Sequence, residues 1–227
     1  YPRSVGKTAS FGNSFDAKEG DWRILEDSTG KWATCNREKI VDLGKLPLTV
    51  SHTDMNVLCV LALTSEYIGA IEVVRALRNY KGLEHRYKEI STLGGVSFIN
   101  DSKATNVGAL LSALNNFSKQ NVILIAGGDS KGVDLEPLAE AFNGKIKWFI
   151  AIGKDGAKIA SIAESQKIKT SFAQSIQEAV QLGYQVAHPG DTILLSPACA
   201  SFDMFANFEE RGELFEKAVL SLSGAES

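Results

Sequence analysis

Apolar and polar positions change their rhythm twice along the chain. The first forty residues hold short β-like runs. Trp22–Leu25 and Trp32–Cys35 flank Asp27-Ser28-Thr29-Gly30, the pattern of a hairpin turn, and the stretch reads as a meander at a sheet edge. From Asp54 the spacing becomes three and four: Met55, Val57, Leu58, Leu61, then Ile68, Ile71, Val74 and Leu77. That period predicts two helices with a break near Gly69.

After Gly82 apolar runs alternate with amphipathic stretches. Strands are predicted at Arg86–Thr92, Val96–Ile99, Val122–Ala126, Trp148–Ile152 and Thr192–Leu195, with a weaker one near Ile168. Helices are predicted at Val107–Asn116, Leu135–Phe142, Gly156–Glu164, Ser175–Ala187 and Phe205–Leu222. Strands separated by helices of this length require crossover connections, hence a mostly parallel sheet covered on both faces. The fold class is therefore α/β, a doubly wound, Rossmann-like domain of residues 83–227 preceded by a separate unit, 1–82.

Composition narrows the function. Lys and Arg number 24 against 27 Asp and Glu, a net charge of -3, so no cationic field exists for nucleic acid or an anionic membrane. The longest apolar run, Val57–Leu63, is far below the roughly 20 residues of a membrane span. Cys35, Cys59 and Cys199 are odd in number and widely spaced, which fits a reducing compartment. His52, His85 and His188 share no metal-ligand spacing, so no metal site is expected. The start, Tyr1-Pro2-Arg3-Ser4, has neither Met nor an apolar leader and suggests a piece of something longer.

In open α/β sheets, ligands bind beyond the carboxyl ends of the strands, and three such segments stand out. Asn100–Asn106 is polar at every position but Ala104, more than a turn and a helix cap need. Gly127-Gly128-Asp129-Ser130-Lys131-Gly132 follows the most apolar strand of this region. Its glycines allow backbone amides to approach an anion and Lys131 adds a charge; a plain strand-to-helix connection is the alternative. Ser196–Asp203 is rich in small residues, and its Cys199 reads as a buried thiol rather than a nucleophile. Gly6-Lys7-Thr8 imitates the end of a phosphate-binding loop, but Tyr1 stands where the first glycine belongs.

With Gly82–Arg86 and the continuation Phe208-Glu209-Glu210-Arg211-Gly212, these segments together resemble the C-terminal half of a Mur ligase, in the branch that adds D-glutamate to UDP-N-acetylmuramoyl-L-alanine. The resemblance covers Gly82–Leu222 best. Residues 1–82 are similar to the end of the family's central ATPase domain. It implies a cytoplasmic, monomeric enzyme of cell-wall synthesis that uses ATP and Mg²⁺, the latter held mainly elsewhere. A carboxylate would be phosphorylated and the acyl phosphate attacked by the D-glutamate amine. By the same resemblance Thr105, Lys131, Ser201, Phe202 and Phe208 hold D-glutamate, while Arg86 and Asp101 engage the ATP phosphates and ribose and Asn56 the adenine. Lys103 adds positive charge near the transferring phosphoryl group. His85 either positions that group, relays a proton, or is a hydrogen-bonded structural histidine.

Departures from the family pattern are Thr53, where an Asn is usual, and Ser130, where glycine is common. The family's ATP loop, carboxylated lysine and uridine-binding domain have no counterpart here, so the chain alone is expected not to turn over. Alternatives are a related Mur or folylpolyglutamate-type ligase for another amino acid, or a binding module without catalysis.

Overall fold

The computed structural model describes residues 11–12, 22–46 and 51–224. The chain divides into two compact units between Gly82 and Leu83. Gly6-Lys7-Thr8, the chain start and the side chains of His52 and Thr53 lie outside the described residues.

In the first unit β1 (Phe11–Gly12), β2 (Trp22–Asp27), β3 (Gly30–Cys35) and β4 (Glu38–Asp42) form one sheet in that order. β2 and β3 are the expected hairpin, antiparallel with Asp27 opposite Gly30. β4 was not expected. Asn36 and Arg37 take φ of 50° and 71° in a tight turn that the Asn-Arg pair does not announce. Helices α1 (Ser51–Thr64) and α2 (Ala70–Arg78) follow, with Gly69 as the N-cap of α2. Trp22, Ala33, Val41, Leu58 and Leu61 centre this unit's core.

The second unit is a six-stranded sheet of β5 (Lys88–Leu93), β6 (Val96–Asn100), β7 (Val122–Gly127), β8 (Ile146–Ile152), β9 (Lys169–Phe172) and β10 (Thr192–Leu195). Its order is β5-β6-β10-β7-β8-β9, parallel throughout except for the β5–β6 pair. Every residue of β7 is buried, as a central parallel strand covered on both faces requires. Its alternate residues face opposite cores. Val122, Leu124 and Ala126 pack with α3 (Val107–Leu114), α4 (Pro137–Phe142) and α5 (Gly156–Ser165); Ile123 and Ile125 pack with α6 (Ile176–Val186) and α7 (Phe208–Gly224). Among the described residues no helix is long and apolar enough to cross a membrane.

The boundaries that differ from expectation have local causes. β5 starts at Lys88 rather than Arg86 because Tyr87 has φ 50°. α4 starts at Pro137, whose missing N–H suits the first turn. α7 starts at Phe208 because the Asn207 carboxamide accepts from Glu210 N–H at 2.7 Å while Glu210 Oε2 accepts from Ala206 N–H at 2.6 Å.

Candidate functional site

Because β10 inserts between β6 and β7, segments far apart in sequence, 100–106, 196–207 and 127–132, emerge side by side at the carboxyl edge of the sheet. The main chain joins them. Gly127 N–H donates to Pro197 O at 2.9 Å, Asp129 and Ala200 exchange two bonds at 3.0 Å, and Asp155 N–H donates to Gly128 O at 2.9 Å. The glycines are there for this close approach. A Cβ on Gly127 would stand 1.9 Å from Ile152 O, and one on Gly128 2.3 Å from Ala200 O. Four of the six amides of this glycine-rich loop are therefore turned inward rather than toward an anion. Gly127, Asp129, Ser130 and Lys131 each spend the N–H within the protein, the last two on Asp155 Oδ2 and Asp129 Oδ1.

A cleft of about 490 Å³ lies among these loops, and Lys103, Thr105, Lys131, Ser201, Phe202 and Phe208 all line it. Lys103 Nζ sits 3.7 Å from the centroid of the Phe208 ring and Lys131 Nζ 5.8 Å from that of Phe202. Neither ammonium is paired with a carboxylate among the described residues. Ser201 is 2% exposed, and its hydroxyl, like that of Thr105, makes no hydrogen bond to a described residue. A buried donor left in that state is costly unless a ligand completes it. The cleft thus offers two cations and two hydroxyls, suited to a small anion with more than one acidic group. Asn106 closes one side by capping α3, accepting from Ala109 N–H at 2.9 Å.

The remaining expected residues lie apart from the cleft lining. His85 is buried, with Nδ1 3.0 Å from Asn100 Nδ2 and 3.8 Å from Glu216 Oε1, and its ring meets Phe208 edge-on at 6.2 Å. Its carbonyl accepts from Lys103 N–H at 3.0 Å. This is the geometry of a hydrogen-bonded histidine standing behind the lining. Arg86 is exposed. Asn56 is exposed on α1 of the first unit. Cys199 is fully buried and burial pushes its thiol up to about 12, so it is no nucleophile. No group of three or more His, Cys, Asp or Glu side chains is placed to hold a metal among the described residues.

Asp101 is 9% exposed; Oδ1 accepts from Tyr87 N–H at 3.1 Å and Oδ2 from Ser196 Oγ–H at 2.9 Å. Burial raises its carboxyl to about 6, against the pull of those hydrogen bonds and of Arg86. A carboxyl whose folded pKa exceeds its unfolded value of about 3.9 holds the extra proton in the folded state. Its stabilisation is complete below about pH 4 and is lost as pH rises through about 6. Asp101→Asn should remove that slope. Urea unfolding at pH 4 and pH 7 should show the wild type losing on the order of 2–3 kcal/mol relative to the variant. Parallel pH profiles would contradict this.

One residue escaped the sequence reading: Arg211 is fully buried on α7 and bonds Ser102 and Cys199. The available signal was its place on the apolar stripe that continues through Phe215, Ala218 and Val219.

The comparisons extend this geometry. A family profile described as Mur ligase, glutamate ligase domain matches residues 85–199, half of the chain. The Marinobacter nauticus protein named UDP-N-acetylmuramoylalanine–D-glutamate ligase is 43% identical over 200 residues, covering 87% of this chain and 45% of its own length. The chain thus spans about half the length of such relatives. The solved UDP-N-acetylmuramate–alanine ligase of Thermotoga maritima superposes with a TM-score of 0.68 at 17% identity, over 94% of this chain and 48% of that one. A bifunctional folylpolyglutamate synthase/dihydrofolate synthase with Mn, AMPPNP and L-glutamate bound gives 0.61 at 14% identity, over 89% and 48%. These two likenesses concern the fold. The profile begins at His85, runs through the loops after β6 and β7 and ends at Cys199 in the loop after β10, and the chain belongs to the Mur ligase family.

Proposed function

We propose that the chain supplies the amino-acid site of an ATP-dependent ligase that joins D-glutamate to UDP-N-acetylmuramoyl-L-alanine in peptidoglycan synthesis. The observation that carries this is the pair of uncompensated ammonium groups, Lys103 and Lys131, in one cleft with the unbonded hydroxyls of Thr105 and Ser201. A dicarboxylate amino acid needs several donors spaced across two acidic groups, and charged hydrogen bonds are the strong ones. Phe202 and Phe208 supply walls for the methylenes, each with one of the two ammonium groups over its ring.

In the reaction an oxygen of the nucleotide-sugar carboxylate attacks the γ-phosphorus of ATP and ADP leaves. The D-glutamate nitrogen then attacks the acyl carbon, loses a proton, and phosphate departs. Lys131, Thr105 and Ser201 hold the amino acid. Lys103, in the loop after β6, offsets charge building on the phosphoryl oxygens. Arg86, exposed next to Asp101, meets the nucleotide phosphates, and Asp101 keeps one lone pair per oxygen for a ribose hydroxyl. Asn56 is assigned to the adenine by resemblance, and the buried His85 to positioning Lys103 through its carbonyl. Mg²⁺ would be held mainly by other parts of the full-length ligase; among the described residues no cluster of His, Cys, Asp or Glu is placed for it.

The test is phosphate release by a full-length ligase carrying this sequence, supplied with ATP, UDP-N-acetylmuramoyl-L-alanine and one amino acid at a time. D-Glutamate alone among D-glutamate, L-glutamate, L-lysine and D-aspartate should support turnover. Equal or better turnover with another would refute the assignment.

A further inference from the structure

Helix α7 lays an apolar stripe against the sheet, with Phe215, Ala218 and Val219 buried in the core beneath it. One turn before Phe215 the same stripe carries Arg211, fully buried. A cation in that place is expensive, and apolar side chains of similar size commonly stabilise such positions as well or better. All three guanidinium nitrogens are nevertheless hydrogen-bonded. Nε donates to Ser102 Oγ at 3.0 Å, Nη2 to Ser102 O at 2.8 Å and Nη1 to Cys199 O at 3.2 Å. Ser102 Oγ–H in turn donates to Phe208 O at 2.7 Å. Burial lowers the guanidinium to about 10, and no carboxylate among the described residues pairs with it.

What this network joins is specific. Ser102 precedes Lys103, Cys199 stands two residues before Ser201, and Phe208 is itself a wall of the cleft. Three segments that meet only in the folded state are thus tied to one planar group that does not line the cleft. We infer that Arg211 is a positioning residue for the cleft: its fork fixes the loops after β6 and β10 against the first turn of α7, and so sets the relative places of Lys103, Ser201 and Phe208. The inference rests on the amino-acid reading only for the ligand in its second arm. Lysine would keep the charge without the fork, and methionine would keep bulk without either.

The test uses the 227-residue chain with Arg211→Lys and Arg211→Met, read by amide hydrogen exchange. Lys103 N–H, held by His85 O, and Ala200 N–H, held by Asp129 O, report the two loops; amides of β7 and β10 report the core. Both variants should keep core protection while the two loop amides exchange at least about tenfold faster, the signature of local opening. Wild type and variants are then titrated with D-glutamate, whose affinity should fall at least about tenfold, as loss of fixed geometry predicts. Unchanged loop protection, or protection lost equally in core and loops of both variants, would overturn the inference. So would full recovery by lysine, or loosened loops with undiminished affinity. Loosened loops in a chain whose wild type does not bind D-glutamate would leave the positioning role standing and count against the proposed ligand.

Discussion

Lys131→Ala, in a full-length ligase carrying this sequence, should raise the KM for D-glutamate at least about tenfold, because a charged hydrogen bond contributes roughly 1.5–3 kcal/mol. The ammonium stands over Phe202 with no carboxylate to occupy it, and the side chain is exposed, so truncation removes a ligand contact and little else. Lys131 holds φ 54°, a conformation that most side chains disfavour equally, which makes Lys131→Met the matched control. It keeps the stem and backbone preference while deleting the charge, and it should show the same defect. The KM values for ATP and the nucleotide sugar should stay within about twofold, since uniform binding of one substrate is what is removed. A normal D-glutamate KM in either variant would refute the role.

Gly127→Ala should unfold the C-terminal unit far more readily than any surface change. Its φ of 130° is a region that side chains avoid, and the new Cβ would meet backbone, Ile152 O at 1.9 Å and the Gly156 Cα at 3.0 Å. Strain of about 1–3 kcal/mol and overpacking of a similar 1–3 kcal/mol act together, a large part of the stability of an ordinary domain. Gly132→Ala is the contrast. Its φ is 74°, but nothing lies within 4 Å of the added Cβ, so only the strain of about 1 kcal/mol remains. Urea midpoints followed by circular dichroism should order wild type, Gly132→Ala and Gly127→Ala, with the last far lowest. Equal midpoints for the two variants would mean that the Gly127 crowding is relieved by backbone movement.

Much of the C-terminal unit was legible because its strands are short unbroken apolar runs between amphipathic helices. β7 and β10 are buried along their whole length, and their shortness sets them apart from buried helices. Errors fall where a single backbone conformation or side chain decides. Tyr87 at positive φ delays β5, Asn207 delays α7, and the Asn36-Arg37 turn makes a strand, β4, that the sequence does not signal. The cleft residues were found by resemblance rather than by spacing. Lys103, Lys131 and Ser201 become neighbours only because β10 returns to the middle of the sheet, and no local pattern encodes that return. The glycine loop shows the opposite limit. Its composition suggested an anion cradle, whereas Gly127 and Gly128 serve close contacts between strands and loops and four of its six amides are used internally. Arg211 was overlooked because a charged residue in an amphipathic helix is ordinarily read as surface, although its place in the stripe makes it core.

The cleft at the carboxyl edge of β6, β10 and β7 is assigned to D-glutamate. The most direct measurement is a titration of the chain with D-glutamate and, separately, L-glutamate while following backbone amide shifts. Saturable shifts at Thr105, Lys131 and Ser201 with D-glutamate, and at least about tenfold weaker binding of L-glutamate, are the predicted result, since one misplaced carboxylate loses a charged hydrogen bond. Equal binding of both enantiomers, or shifts that bypass those three residues, would contradict it.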